Sequence, residues 1–475
     1  MEVVMIIVSL ALLVTIAYKG FSVILFAPVC ALVAASMAEY HLLPAYTDLF
    51  MGKAVVFVKS FFPIFLLGAV FGKVMEETGM ARSIAEFVIQ KLGKDKAILS
   101  VMMVCIILAY GGVSVYVAVF AIYPFAASVF REANIPKRLI PAVLTAGLLT
   151  MVMDSAPGTP QLQNIIPTVY LGTTIYAAPT LGTICGLMTL ALCYIYINWR
   201  KKVAEKHGEG YGNHTLNEAT IDPDQPTPPW YFSILPLITV LAVSFYLSFI
   251  YKWDPSMIEP FQKMGLPLAT KAISSVISIW ALIIGLIVSI LLAIGLGYRF
   301  MPKNISIKSA LNAGAIGSLL AVMNTASEVG YGSVISSLPG FTEIANSLYS
   351  VGEGMPLLNA AIMVNVLAAI TGSATGGLGI ALEIFSAHWL EATQAAGIPP
   401  EVLHRVASMA AGGMDTLPHN GAIITTLAIC GLTHKESYKD IFGVTLLKFA
   451  MAFFAVFLYM VTGMANCQAK CNFLE

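Results

Sequence analysis

Apolar runs long enough to cross a bilayer follow one another along almost the whole chain, and they restrict its fold more than any other feature. A hydrocarbon core of about 30 Å takes roughly 20 helical residues to span. Inside it every backbone polar group must be satisfied internally, so only helices or closed barrels can cross. The runs do not alternate with the ten-residue period of a barrel. Candidate spans lie near 3–18, 21–38, 54–75, 137–172, 174–198, 230–251, 272–298, 308–328, 400–432 and 438–463. The expectation is an all-α polytopic membrane protein with about ten transmembrane helices. Composition agrees: 58% of the 475 residues are hydrophobic and 11% charged, where a soluble chain carries about a quarter charged residues. The first run, Val3 to Ala17, follows Glu2 where a signal peptide needs basic residues, so it reads as an uncleaved first span.

Two further apolar stretches, 97–130 and 356–391, have a different form. Each is two arms of about a dozen residues around a Gly/Ser/Thr cluster, Tyr110-Gly111-Gly112-Val113-Ser114 and Thr371-Gly372-Ser373-Ala374-Thr375-Gly376-Gly377. An arm of that length rises only about 18 Å, so each stretch is expected to enter the membrane and return as a re-entrant hairpin. Spans 137–172 and 400–432 are interrupted by Pro157-Gly158-Thr159-Pro160 and Pro418-His419-Asn420-Gly421 and read as broken helices. Such backbone is tolerated at depth only where it is buried in protein or lines a cavity.

Met153-Asp154-Ser155-Ala156-Pro157 recurs 261 positions later as Met414-Asp415-Thr416-Leu417-Pro418. Other landmarks align in the same order: Glu77-Thr78-Gly79 with Glu328-Val329-Gly330, Gly111 and Ser114 with Gly372 and Thr375, and Ile135-Pro136 with Ile398-Pro399. The chain therefore reads as two repeats, 1–198 and 230–475, joined by a polar linker over 199–229 whose composition suits a mobile cytoplasmic connection. Placing 73–96, 131–138, 199–206, 299–308, 433–439 and Lys19 inside collects 18 of the 26 Lys and Arg. Lys53, Lys252, Lys263, Lys271, Arg405 and Lys470 fall outside, and Lys59 and Lys448 are expected to snorkel from within spans. Ten spans then put both termini outside and give the repeats opposite topology.

Inverted repeats with discontinuous helices near the midplane are the pattern of secondary transporters. Free N–H groups at the breaks attract an anion, glycine permits close approach, and hydroxyls adapt their hydrogen bonds. No Arg or Lys falls near a tip in sequence, so the expected ligand is a small organic anion with one carboxylate. A formal charge of zero and the absence of basic clusters among aromatics argue against a nucleic-acid partner. There is no phosphate loop, zinc spacing or Ser-His-Asp arrangement, so neither ATP-driven transport, catalysis, a metal nor a cofactor is expected. Cys30, Cys105, Cys185, Cys193 and Cys430 are dispersed in apolar spans and read as small hydrophobes. Cys467 and Cys471 are spaced for a local disulfide in an oxidising compartment.

Residues 157–167, Pro-Gly-Thr-Pro-Gln-Leu-Gln-Asn-Ile-Ile-Pro, and residues 418–424, Pro-His-Asn-Gly-Ala-Ile-Ile, followed by Ile429-Cys430-Gly431-Leu432-Thr433-His434, resemble the gluconate permease family of the ion transporter superfamily, and within it the hydroxybutyrate permeases. The resemblance covers nearly the whole chain. It implies proton-coupled uptake of a hydroxy-carboxylate such as gluconate or 3-hydroxybutyrate across the inner membrane, and a homodimer in which a mobile transport domain carries the site against a scaffold. Its motifs single out Gly111, Gly112, Ser114, Gly372, Ser373 and Thr375 at the hairpins and Gly158, Thr159, Gln161, Asn164, His419 and Asn420 at the breaks.

Intramembrane carboxylates mark ion pathways by default. Asp154 and Asp415 each have three readings: carrier of the coupling proton, ligand of Na+, or cap of the following helix. Glu328 is a third ion-coupling candidate, with an outer-interface position as its alternative. Glu383 reads either as a further acid or as an outward contact with the scaffold. His419 reads as a substrate or proton contact or a structural one, and His388 and His434 as interfacial. Three functions follow: a proton-coupled symporter, a sodium-coupled carboxylate carrier of the same architecture, or a channel or intramembrane enzyme.

Overall fold

In the computed structural model the described residues are 2–18, 21–93, 96–113, 115–214, 226–266, 268–270, 272–273, 276–301, 306–341, 354–418 and 420–464. Ser114, His419, Lys19, Lys271, Lys470, Cys467, Cys471 and the middle of the linker, 215–225, lie outside them. The regular elements among the described residues are all helical, with no strand.

The first half contains α1 (Glu2–Tyr18), α2 (Val23–Met37), α3 (Met51–Glu77), α4 (Met80–Leu92), α5 (Ala97–Tyr110), α6 (Val115–Glu132), α7 (Ile140–Leu148), α8 (Leu162–Leu171) and α9 (Pro179–Lys206). The second contains α10 (Trp230–Phe249), α11 (Ile277–Gly297), α12 (Ile307–Ser336), α13 (Pro356–Thr371), α14 (Ala374–Ala395), α15 (Pro400–Gly413), α16 (Gly421–Cys430) and α17 (His434–Thr462). Pro179, Pro356 and Pro400 open α9, α13 and α15, where the missing N–H costs nothing. Gly172, Gly372, Gly431 and Gly463 close helices in the left-handed conformation, the usual role of glycine there. Six helical stretches among the described residues are long and apolar enough to cross a membrane: 42–77, 137–155, 179–206, 230–249, 277–300 and 434–462. Shorter apolar helices lie at 4–13, 23–37, 97–110, 356–369 and 421–430.

Four boundaries differ from the sequence expectation. The stretch 73–96 is not a loop: α3 runs to Glu77, and α4 is an amphipathic helix whose Arg82 and Glu86 form an i,i+4 pair at 2.7 Å. The second hairpin arms exceed a dozen residues, at 18 for α6 and 22 for α14. The linker begins later, since α9 continues to Lys206. Its first residues are docked rather than loose: Tyr211 N–H donates to Asn134 Oδ1 at 3.1 Å, and Glu209 accepts two bonds from Arg138. Its other end packs too, Pro226 and Pro228 against Gly79 and Trp230 stacked on Phe87.

Helix contacts come in mated pairs. Exchanging α1 with α10, α2 with α11, α3 with α12, and α5 to α9 with α13 to α17 maps α1·α2 onto α10·α11, α2·α12 onto α11·α3, and α5·α7 onto α13·α15. It also maps α6·α16 onto α14·α8 and α7·α16 onto α15·α8. The pairs α3·α12 and α9·α17 map onto themselves and mark the axis. Two layers result. One is built on α3 and α12 with α1, α2, α10 and α11; the other holds both hairpins and both broken helices. In the second layer the far half of each broken helix packs on the second hairpin arm of the other repeat.

Candidate functional site

The first break starts where α7 ends and a wide π-type turn, Met151–Ser155, carries Asp154. Gly158 takes φ +79 and sits so close to Tyr176 that a Cβ would meet its ring at 2.5 Å, a place only glycine fits. The return loop holds the break open: Gly158 N–H donates to Ile175 O, and Asn164 Nδ2 donates to Thr159 O and Ile175 O at 3.0 and 2.7 Å. Tyr110 Oη donates to Pro157 O at 2.5 Å.

An amide ties each break to the hairpin of its own repeat. Gln161 Nε2 donates to Ala109 O at the end of α5, and Asn420 Nδ2 donates to Gly372 O at the end of α13, both at 2.7 Å. Asn420 also caps α16, its Oδ1 accepting from Ala422 and Ile423 N–H. Ser373 caps α14 through Gly376 N–H and lies 3.1 Å from the Thr375 hydroxyl. Gln161 makes no side-chain cap and its carbonyl takes Asn164 and Ile165 N–H, so in the first turn of α8 Leu162 and Gln163 N–H are the groups left open among the described residues. Of the other tip glycines, Gly112 and Gly372 take positive φ, whereas Gly111 is kept small by Leu237, which a Cβ would meet at 2.2 Å.

The capping reading of the aspartates is corrected. Position Asn420 caps the helix after Asp415, and no side chain caps the helix after Asp154. Asp415 instead accepts Lys448 Nζ at 2.6 Å, with side-chain exposures of 2% and 1%. Lys448 therefore does not snorkel, because a buried carboxylate stands within reach across α15 and α17. Asp154 accepts the Ser155 hydroxyl at 2.5 Å and lies against Gly412, whose Cβ would fall 1.9 Å from its Oδ2.

Arg405 is also inside rather than at the outer face. Its guanidinium donates twice to Ala177 O, at 3.1 and 2.7 Å, and once to Asp154 O at 3.2 Å. Basic groups thus stand at both breaks, Arg405 on the Asp154 carbonyl and Lys448 on the Asp415 carboxylate. The neighbouring His404 has Thr173 Oγ1 at 2.6 Å from Nδ1 and Asn164 Oδ1 at 3.2 Å from Nε2. Both Asn164 Nδ2 hydrogens are spent on carbonyls, so Oδ1 is an acceptor and His404 Nε2 carries a proton. His404, Ser408 and Gly412 recur at i, i+4 and i+8, and with Arg405 form one face of α15 turned to the first repeat. Sequence reasoning passed over that stripe, although polar residues at helical spacing in an apolar segment signal it.

Glu328 is buried at 8% exposure rather than interfacial, and its Oε2 faces Gly376 at the start of α14. Glu383 pairs with Lys53 of α3 and accepts Tyr170 Oη at 3.1 Å, the scaffold contact of its alternative reading. These residues help to line a cavity of about 220 Å³ between the layers, with Phe57, Phe61 and Ile380. His388 is exposed, whereas His434 Nε2 lies 2.8 Å from Pro418 O and belongs to the second break. Three buried polar atoms in this region have no hydrogen-bond partner: Thr159 Oγ1, Asn365 Oδ1 and Glu328 Oε2. The first two, with the open turn of α8, offer donors for a carboxylate and a donor–acceptor pair for a hydroxyl.

A family model described as GntP family permease matches residues 1–413. An uncharacterized transporter of Bacillus subtilis (strain 168), YxjC, is 46% identical over 475 residues, 98% of this chain and 100% of that protein. An uncharacterized transporter of Haemophilus influenzae is 27% identical over 199 residues, 41% of this chain and 44% of the other. The solved structure of the YdaH transporter of Alcanivorax borkumensis matches with a TM-score of 0.54 at 13% identity, covering 87% of this chain and 89% of that one. At that identity the likeness is one of fold.

Proposed function

Given that the chain belongs to the GntP family of permeases, multi-pass membrane transporters, we propose that it is a secondary active symporter taking up a small hydroxy-monocarboxylate, such as 3-hydroxybutyrate or gluconate, with a proton. The observation that carries this reading is the uncapped first turn of α8 beside the buried, unpartnered Thr159 hydroxyl. A helix N-terminus suits one carboxylate, and Thr159 and Asn365 suit a hydroxyl. Arg405 and Lys448 are already spent on Ala177, Asp154 and Asp415, so neither of these cations at the breaks is left for a second carboxylate. With Asp415 held by Lys448, the acids free to carry the proton are Asp154 and Glu328.

In this reading the two halves of the chain are inverted repeats in the inner membrane, joined by a cytoplasmic linker that starts after Lys206 and ends at residue 229, with both termini outside. The layer of hairpins and broken helices moves against the layer of α3 and α12, and the cavity between them supports that division. The protein works as a homodimer. The test is uptake of labelled 3-hydroxybutyrate into proteoliposomes at two external pH values, with and without Na+, against gluconate, plain butyrate and a dicarboxylate. Hydroxy-monocarboxylates compete best, and accumulation collapses with the proton gradient. Accumulation that survives that collapse but requires Na+ would overturn proton coupling, and flux that does not saturate would overturn a carrier.

A further inference from the structure

Glu328 stands apart from the other buried acids because no cation answers it. Its Oε2 is buried without a hydrogen-bond partner, and Ser373, like Glu328, lies against Gly376. A Cβ on Gly376 would lie 2.8 Å from Oε2, so the group lies across the first turn of α14 at the tip of the second hairpin. The elements packed on α12 are α2, α3, α14 and the turn before α3. Helix α2 has no charged residue, and Asp48 of the turn accepts the Thr47 hydroxyl. On α3, Lys53 is paired with Glu383 of α14, Lys59 is exposed, and Lys73 is paired with Glu76 and Glu77. Glu328 forms no ion pair with a charged side chain among the described residues.

The other repeat isolates the feature. There Gly68 of α3 faces the hairpin tip at Gly112 O, and α3 has no acid before Glu76. Glu77, aligned with Glu328 in the sequence repeat, is bound to Lys73 at 2.8 Å. A carboxylate facing a hairpin tip is thus peculiar to the second repeat. An ionised carboxylate buried without a cation is heavily penalised, and the N-terminus of α14 has already given Gly376 N–H to Ser373 Oγ and Gly377 N–H to Ser373 O.

We propose that Glu328 Oε2 is a proton-binding site that couples proton uptake to the position of the second hairpin. While water of one face reaches the group, a hydronium O–H bond breaks and its proton bonds to Oε2, leaving water, and the tip of α14 then covers the neutral carboxyl. When α14 slides along α12 and water reaches the group, the O–H bond breaks and the proton leaves to water. Nothing is oxidised or reduced. Glu328 faces the first turn of α14 rather than that of α8, and its assigned role is coupling rather than recognition. Its place in transport rests on the symporter reading above, while proton binding itself does not.

The experiment therefore has two arms on reconstituted protein. Infrared difference spectra between two pH values show a protonated-carboxyl stretch in the wild type that is missing in Glu328→Gln; an identical band in both proteins overturns the proposal whatever the substrate is. In the second arm, Glu328→Gln still exchanges 3-hydroxybutyrate across the membrane but no longer accumulates it under a pH gradient. Glu328→Asp, which keeps the carboxyl one methylene shorter, regains part of the accumulation. Accumulation by Glu328→Gln at the wild-type level, or accumulation restored to it by Na+, overturns the coupling role. If no hydroxy-carboxylate is exchanged even by the wild type, the substrate reading fails and the infrared arm still decides Glu328.

Discussion

Lys448 and Asp415 neutralise one another inside the protein, and the pair shows how a buried charge constrains this fold. Removing one partner leaves the other unpaired, a loss of about 3–5 kcal/mol, whereas replacing both by apolar groups is close to neutral. Lys448→Met is therefore expected to destabilise the detergent-solubilised protein strongly, and Lys448→Met with Asp415→Leu to recover most of the loss. Thermal unfolding of the single and double variants checks this, and equal losses in both would remove the pair as a constraint. The aspartates were conspicuous in sequence because a charge in an apolar run is costly. Their partners were not, because Lys448 lies 33 residues from Asp415 and Arg405 lies 251 from Asp154, and only packing brings them together.

At the scale of elements, the two amide struts do unequal work. Asn420 holds Gly372 O and caps α16, while Gln161 holds Ala109 O and caps nothing. Asn420→Ala should accordingly cost about 1 kcal/mol more than Gln161→Ala, the usual worth of an N-cap. Hydrogen exchange should rise at the start of α16 in the first variant, while protection of α8 stays unchanged in the second. Equal exchange in both would show that the cap contributes nothing. Breaks and hairpins were legible because Gly and Pro punctuate local backbone. Helix α4 and the extension of α9 were missed because charges that read as loop face water along one side of a helix.

At the scale of the molecule, the start of the linker fastens the repeats to one another. Asp440 of α17 accepts Arg138 from before α7 and Arg200 from α9, and Arg138 holds Glu209 beyond α9 through both carboxylate oxygens. The Arg138 hydrogen bond, with its charge, keeps the Glu209 carboxyl below its usual range. A group depressed on folding stabilises fully above its unfolded value, about 4.3, and loses that contribution as pH falls through the folded one. Exchange over 207–214 should therefore rise only in acid in the wild type, and at every pH in Glu209→Gln. With Glu209 40% exposed, the effect is local and screened by solvent. Exchange in Glu209→Gln that matches the wild type at neutral pH would exclude the strap.

Sequence by itself determined that the chain is a helical membrane protein with two hairpins, two breaks and a duplicated order, because hydropathy, glycine and proline act through local backbone and the bilayer. It also placed the hydroxyls and amides of the breaks. Tertiary structure decided which of them are spent: Asn164 and Asn420 on backbone, Asp415 on Lys448, Arg405 on carbonyls of the other repeat. It also left Thr159, Asn365 and Glu328 with buried atoms unanswered. The reason is physical. Desolvation, pairing and hydrogen-bond satisfaction depend on which atoms meet across repeats, and residues hundreds of positions apart meet only once the helices have packed.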